Sequence, residues 1–288
     1  MVNKTYFSSI FSIARSEYIR WLTNPRILII GILFIFMRTL AVEPLLERVE
    51  KMQDALTVFE PFIAIGNSGM LVLLMPCVFL ILISDYPIIN GNTLLFVQRI
   101  GKVNWFLGQI LFVIFAVFSY MGTLLIVSII TSNGKFRLEW SETIRLYASH
   151  FPNEYNSFAS ELIPSNLYNQ ISLVTSLLQT FFLMSAYLFV LVLILYLFKI
   201  INIRSAGIFA VYSLIGFGVV TCSVKSPAMW LFPMANTIVW LHYTEIIREP
   251  VVPIIQSYMY FLILIFFLLI CNFVALKKMQ FVNIEQVG

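Results

Sequence analysis

Residues 84–109 read SDYPIINGNTLLFVQRIGKVNWFLGQ and form a polar connector between two long apolar runs. Asp85 and Pro87 end the first run, because neither residue suits the interior of an apolar helix. The cluster Asn90-Gly91-Asn92 favours a turn, since Gly and Asn both tolerate positive φ. The sequence therefore predicts two helices that cross an apolar layer, joined by a structured polar link over 84–104.

A short helix is predicted within this connector, at 93–100. Asn92 or Thr93 can cap its first turn, and at 1.5 Å per residue it spans about 12 Å. Its apolar side chains do not share one face. Leu94 and Val97 lie on one side, and Leu95, Phe96, Arg99 and Ile100 lie on the other. Such a helix is expected to contact protein on more than one side, which leaves open packing within the chain or docking to a separate protein.

The composition is that of a polytopic membrane protein. Of the 288 residues, 60% are hydrophobic and 11% are charged, and the mean hydropathy is +0.92. Soluble domains have about 45–50% apolar and about 25% charged residues. The apolar runs are continuous, as in membrane-spanning helices, and do not alternate as in barrel strands. The predicted fold class is all-α, with one transmembrane domain over 1–288.

The N-terminal stretch 3–23 predicts an amphipathic helix that lies in the plane of the membrane surface. Apolar and aromatic residues recur at helical spacing, while serine and arginine residues fill the other face. Asn24-Pro25 ends the helix. The residues that carry this pattern are Tyr6, Phe7, Ile10, Phe11, Ala14, Arg15, Tyr18, Arg20, Trp21 and Leu22.

Six membrane spans are predicted, at 26–42, 66–83, 105–130, 171–198, 203–222 and 257–276. The outer loop 131–170 contains a helical stretch near 138–149. The segment 223–253 is apolar, but four prolines interrupt it, and its core at 228–243 is too short to cross a hydrocarbon layer of about 30 Å. We therefore expect this segment to form a re-entrant helical hairpin on the outer side.

The distribution of basic residues predicts the orientation. With a cytosolic N-terminus, ten of the 18 Lys and Arg residues fall in inner segments and seven in outer segments, and Arg38 lies inside a span. Because basic residues favour the cytosolic side, both termini are expected in the cytosol. The expected location is the plasma membrane, with a bacterium as the expected source.

The sequence carries no pattern of a catalytic, cofactor or metal site. His150 and His242 fall in separate outer loops, and no H-E-x-x-H, G-x-S-x-G or phosphate-loop motif is present. The three cysteines lie in or beside apolar runs, where they are interpreted as small core residues. The chain is therefore expected not to be an enzyme and to bind neither a nucleotide through such a loop nor a nucleic acid.

Arg38 is the one ionisable residue well inside a predicted span. It lies about 18 Å along the helix from Arg26. Its side chain can extend towards Glu43 or Glu47 at the outer edge, or it can line a translocation path. Because the spans hold no carboxylate, an ion-coupled carrier is disfavoured.

Three segments give the chain its resemblance to the permease subunits of ABC-2 type ATP-binding-cassette transporters. ARSEYIRWLTNPRILII (14–30) resembles the family's elbow helix as it enters the first span. SDYPIINGNTLLFVQRIGKVNWFLGQIL (84–111) resembles the connector that holds the coupling helix. SPAMWLFPMANTIVW (226–240) resembles the half-inserted outer helices. Asp85 and Gly91-Asn92-Thr93 stand where many members have a Glu and a Gly-Thr pair.

The resemblance implies two six-span permease subunits, a second copy or a paralogue of this chain, joined to two soluble ATPase subunits that bind ATP and Mg²⁺. It implies export of an amphipathic or hydrophobic cargo, with a peptide as the first candidate and lipids, polyketides or drugs as others. The elbow helix would include Phe7, Phe11, Arg15, Tyr18, Arg20 and Trp21. The ATPase-coupling interface would include Asp85, Tyr86, Asn92, Thr93, Leu95, Phe96, Arg99 and Ile100.

Three other classes of function stay open at this point. The chain can be a membrane scaffold or sensor that recruits a soluble partner without transport, an ion-coupled secondary carrier, or a membrane enzyme. A complex with an ATPase whose turnover rises with cargo separates the exporter from all three.

Overall fold

The computed structural model describes residues 2–88, 97–154, 161–244 and 250–278, with side chains from residue 8 onward. Across these residues the chain is helical, with isolated β-bridges at Thr57–Lys135 and Tyr243–Pro250. The α-helices are α1 (Val2–Leu22), α2 (Ile29–Met37), α3 (Glu43–Met52), α4 (Glu60–Asn67), α5 (Gly69–Ile83), α6 (Lys102–Thr131), α7 (Glu142–His150), α8 (Ser165–Tyr168), α9 (Leu173–Ile200), α10 (Arg204–Ser223), α11 (Pro233–Thr237) and α12 (Ile254–Lys278).

Among the described residues, five helical segments are long and apolar enough to cross a membrane: Pro25–Met52, Lys102–Thr131, Leu173–Ile200, Arg204–Ser223 and Ile254–Lys278. A sixth is obtained only if α4 and α5 are taken together, and these two helices are bent by 85°. The predicted all-helical class is confirmed, and the long apolar helices support a membrane protein. The six-span layout stays a prediction.

The first apolar segment continues to Met52, ten residues beyond the predicted span end at 42. A 3₁₀ turn at Pro25–Leu28 leads into α2, and a π turn at Arg38–Val42 joins α2 to α3. The N–H of Glu43 donates to the carbonyl of Arg38, five residues earlier. This wide turn lets the helix accommodate Pro44, which has no N–H to donate.

The bend between α4 and α5 lies at Ser68, inside the predicted span 66–83. Ser68 has an extended backbone, with φ −76° and ψ 124°. The buried Asn67 side chain donates to Ile63 O and to Thr180 Oγ1, and it accepts from the N–H of Val239. Residues 66 and 67 therefore belong to α4 and not to a straight second span. The network stabilises the bend, because it supplies hydrogen-bond partners for buried polar groups where the helix breaks.

Helix α9 lies at the centre of the bundle. It packs against α4, α5, α6, α10, α11 and α12. Its sequence is apolar on all sides, as expected of a helix that is surrounded by others. It therefore connects both halves of the chain.

Helix α1 packs along α6. A Cβ on Gly108 would lie 2.7 Å from Ile13 Cβ, so the glycine permits a close approach of the two helices. The Tyr18 hydroxyl and Ser119 Oγ are 2.6 Å apart. Ile13 and Ala14 are buried. Part of the apolar face that was predicted to lie on the membrane is thus covered by protein, and the interfacial position of α1 stays a prediction.

The end of the bundle that carries α7 and α8, here called the loop end, is held by a buried carboxylate. Glu60 Oε1 accepts from the N–H of Ser141 at 2.6 Å, and Oε2 accepts from the N–H of Thr57 at 2.9 Å and from Ser141 Oγ at 3.0 Å. These bonds join α4 to the loop before α7, which begins at Glu142 inside the predicted helical stretch.

Between α10 and α12 the chain forms short helical turns, at Pro227–Leu231, Pro233–Thr237 and Val239–His242. Each has four or five residues, so none crosses an apolar layer. Ser257 Oγ donates to Asn236 Oδ1, and the His242 Nδ1 lies 2.8 Å from Val252 O. These contacts fix the segment against the start of α12, while its predicted re-entrant position stays a prediction.

Candidate functional site at the connector

Asp85, the second residue after α5, pairs with two arginines from other parts of the chain. Its Oδ2 lies 2.6 Å from Arg26 Nη1, and its Oδ1 lies 2.8 Å from Arg204 Nη2. Arg26 precedes α2, and Arg204 begins α10. The side chain of Asp85 is 40% exposed, so the two pairs lie at the edge of the bundle and not in its core.

Two further contacts complete this group. Arg26 Nη1 donates to Ser84 Oγ at 3.0 Å, and Lys199 Nζ donates to the carbonyl oxygen of Asp85. We call Arg26, Ser84, Asp85, Lys199 and Arg204 the Asp85 cluster, and we call the end of the bundle that carries it the connector end. One short stretch of connector thus contacts the start of the first apolar segment, the end of α9 and the start of α10.

Local turns bring the basic residues to this place. Asn24 Oδ1 accepts from the N–H of Arg26 and caps the 3₁₀ turn that follows α1. Asn202 has a φ of 66° and reverses the chain between α9 and α10, which puts Lys199 and Arg204 side by side. Asn is among the residues that tolerate this left-handed conformation best.

Tyr86 points the other way, into the bundle. It is 6% exposed, and its ring centroid lies 4.2 Å from that of Phe112 on α6. Its hydroxyl donates to the carbonyl of Gln109 at 3.5 Å. Burial raises the pKa of the Tyr86 phenol, so the hydroxyl stays protonated. Asp85 and Tyr86 therefore attach the connector on two opposite sides.

Phe112 links this attachment to α1. The ring centroid of Trp21 lies 6.4 Å from that of Phe112, and Trp21 is buried. Next to it, the Glu17 carboxyl faces the Gln109 amide, and burial raises the pKa of Glu17. The end of α1, the connector and α6 thus share one packed region.

The described part of the predicted coupling helix is its last turn. Residues 97–100 are helical, and the N–H of Gly101 donates to Val97 O. Gly101 has a φ of +90°, which favours glycine, and it separates this turn from α6. Val97 is buried and Arg99 is exposed, while Ile100 is half-buried. The predicted interface residues Asn92, Thr93, Leu95 and Phe96 lie outside the described residues.

The predicted elbow residues fall on both faces of α1. Trp21 is buried, Tyr18 and Phe11 contact the ring of Phe115 edge to face, and Arg15 and Arg20 are exposed. The side chain of Phe7 lies outside the described residues. The packing of α1 therefore involves its aromatic residues, and its basic residues face outward.

Arg38 extends towards Glu43, one of the two partners expected from the sequence. The Nε of Arg38 lies 3.3 Å from Glu43 Oε1, and the Arg38 side chain is 67% exposed. The pair lies on the outer surface of the π turn. A role of Arg38 in a translocation path stays a prediction.

Sequence reasoning missed the partners of Asp85. Arg26, Lys199 and Arg204 are among the ten basic residues of the inner segments, and the sequence was used only to assign the orientation from that count. Lys199 directly follows a predicted span, and Arg26 and Arg204 lie at the starts of two others, all at the same end as Asp85, and that shared position was the available signal. The observed contacts of Asp85 and Tyr86 lie within the chain, whereas the resemblance implies that these residues take part in an interface with a partner.

Within the described ranges, no group of three or more His, Cys, Asp or Glu side chains could hold a metal ion. Comparisons of the chain with models of known protein families, with curated proteins and with solved structures found no match.

Proposed function

We propose that this chain is the membrane subunit of an ABC-2 type exporter, which moves an amphipathic or hydrophobic cargo out of the cell with ATP hydrolysed by a separate subunit. A peptide is the first candidate for the cargo. The observation that carries the proposal is the attachment of the connector after α5. Tyr86 contacts α6. Asp85 contacts the end of α9, the start of α10 and the start of the first apolar segment.

This attachment suits a chain that receives mechanical work from a partner. A force on residues 93–100 would pass through the connector to all of these helices at once. The exposed Arg99, in the last turn before Gly101, is available to contact an acidic surface of the ATPase. Because α1 packs on α6, we infer that the elbow helix moves with α6 and does not only hold the first span.

The proposed assembly has two permease chains and two ATPase subunits, with ATP and Mg²⁺ bound only by the latter. In this proposal the six spans include the bent pair α4–α5, the connector end faces the cytosol together with both termini, and the turns between α10 and α12 form the re-entrant outer segment. Membrane lipids surround the bundle. The predominance of basic residues at the connector end supports this orientation.

The test is coupled ATP turnover in proteoliposomes that contain this chain and an ABC ATPase encoded beside it. We expect turnover to rise with cargo in the wild type. Arg99→Glu should lower the cargo-stimulated rate at least about tenfold, since it reverses the charge of an exposed contact. Arg145→Glu is the matched control, because Arg145 is also exposed on a helix but lies at the loop end.

Two outcomes would contradict the proposal. If Arg99→Glu and Arg145→Glu have equal effects, the connector is not the route of coupling. If the ATPase binds but its turnover does not respond to any cargo, the scaffold alternative is favoured. Monodisperse elution of each variant verifies that the protein is folded.

A further inference from the structure

The Asp85 cluster carries more positive than negative charge. Three cationic groups, on Arg26, Lys199 and Arg204, contact the side chain or the carbonyl of one acidic residue. The cluster therefore has a formal excess of two positive charges. It lies at the level where the proposed orientation puts the headgroups of the cytosolic leaflet, a layer that is rich in anionic lipid.

The contacts with Asp85 and Ser84 use only part of the donor capacity of the two arginines. Among the described residues, Arg26 makes its contacts through Nη1 and Arg204 through Nη2. Their side chains are 40% and 55% exposed. A guanidinium has five N–H donors, so each arginine can bind a second anion while it holds Asp85. Phosphate oxygens match this donor geometry well.

The start of α10 adds a positive partial charge at the same place. This helix has 20 residues and begins at Arg204, and its N-cap Ile203 makes no side-chain capping bond. The first N–H groups of such a helix lack partners within the helix and attract anions. This partial charge adds to the positive charge of the arginines, which remain the main determinant of anion binding.

Large apolar side chains are exposed immediately beside the cluster. Leu28 is 76% exposed two residues after Arg26, and Ile201 and Ile203 are 50% and 49% exposed just before Arg204. Ile32, four residues after Leu28, and Phe209, five residues after Arg204, are exposed as well. A ligand that fits this surface has an anionic group for the arginines and hydrocarbon for these side chains.

We propose that the Asp85 cluster and its apolar flank bind an anionic phospholipid. The phosphate contacts Arg26 and Arg204, and the acyl chains lie along the exposed side chains of α2 and α10. A soluble anion would use only the basic part of this surface. The site uses the orientation proposed above, but it requires neither an ATPase nor a cargo, so its failure can be distinguished from a failure of the exporter proposal.

Asp85 has a distinctive role in this site, because it competes with the lipid phosphate for the same arginines. Removing its charge frees donors on both guanidiniums. Asp85→Asn should therefore weaken the internal contacts of the connector and at the same time tighten the binding of anionic lipid. A purely structural cluster would not show this opposite pair of effects.

The experiment measures lipid binding to the purified full-length chain in detergent by native mass spectrometry. Phosphatidylglycerol and phosphatidylcholine with identical acyl chains are titrated separately. We expect phosphatidylglycerol to bind at least about fivefold tighter, since one basic residue near a lipid surface contributes about 1 kcal/mol. Arg204→Gln should remove most of this preference, and Asp85→Asn should increase it at least about threefold.

Arg145→Gln at the loop end is the matched control and should leave the preference unchanged. Arg204→Lys, which keeps the charge, should retain most of it, and this variant separates loss of charge from loss of fold. Equal binding of the two lipids by the wild type would overturn the proposal. Equal effects of Arg204→Gln and Arg145→Gln would also overturn it, as would a smaller preference for phosphatidylglycerol in Asp85→Asn. Full displacement of the lipid by inorganic phosphate would overturn it as well, because it would indicate a site for a soluble anion.

Discussion

Oδ1 of Asp85 lies 2.8 Å from Nη2 of Arg204, although the two residues are 119 positions apart in the sequence. The other oxygen of the same carboxylate pairs with Arg26. One side chain at the start of the connector therefore joins the start of the first apolar segment to the start of α10. Because these groups are partly exposed, each pair contributes only about 0–1 kcal/mol to stability. Their value lies in fixing the position of the connector.

Asp85→Asn removes both ion pairs and keeps the shape of the side chain. We expect a small loss of thermal stability in detergent, on the order of 1 kcal/mol, because the contacts are at the surface. In the proposed complex with an ATPase, cargo-stimulated ATP turnover should fall much more than stability does, since the connector loses its contacts with α10 and with the first apolar segment.

Asp85→Glu is the control for this experiment, because it keeps the charge and lengthens the side chain by one methylene. It should retain a larger part of the turnover than Asp85→Asn. Turnover that falls only in proportion to the thermal midpoint would show that the ion pairs act on stability and not on coupling.

Much of the fold follows from local signals in the sequence. The long apolar runs predict the helices, and Asn24-Pro25 predicts that α1 stops just before it, at 23, one residue beyond the observed end at Leu22. Spacing puts Glu43 and Glu47 within reach of Arg38, and the structure pairs Arg38 with Glu43. The bend at Ser68 could not be predicted in this way. It depends on bonds from Asn67 to Thr180 and Val239, which are 113 and 172 positions away. The partners of Asp85 were missed for the same reason.

Gly66 and Thr180 provide a test of the bend between α4 and α5. Gly66 lies on α4 and Thr180 lies on α9. A Cβ on Gly66 would overlap Thr180 Cγ2, so Gly66→Ala should force α4 and α9 apart. Overpacking of this kind costs about 1–3 kcal/mol. Thr180→Ser removes the methyl group but keeps the hydroxyl that accepts from Asn67.

The double variant Gly66→Ala with Thr180→Ser should therefore recover most of the stability that Gly66→Ala loses. The measurement is the thermal unfolding midpoint of the four proteins in one detergent, read as a double-mutant cycle. Strict additivity of the two changes would show that these residues are not in contact and that the bend is placed differently.

Glu60 provides a test of the loop end, because its two oxygens both accept from backbone N–H groups. Oε1 accepts from Ser141 and Oε2 from Thr57. In Glu60→Gln, either orientation of the amide turns its NH₂ group towards one of these N–H donors. One buried N–H then loses its acceptor, which costs about 1–3 kcal/mol. Glu142→Gln, at an exposed position on α7, is the matched control and should have little effect on the unfolding midpoint.

The proposed orientation can be tested with single cysteines at exposed positions of the two ends. In a background in which Cys77, Cys222 and Cys271 are replaced by serine or alanine, Gln98→Cys reports the connector end and Glu142→Cys the loop end. In intact cells, a membrane-impermeant maleimide should label position 142 and should reach position 98 only after lysis. A cytosolic ATPase can act on the connector only if this pattern is observed. The pattern is also expected because more basic residues lie at the connector end than at the loop end. Labelling of position 98 in intact cells would put the Asp85 cluster on the outer side and exclude any mechanism in which a cytosolic partner pushes on it.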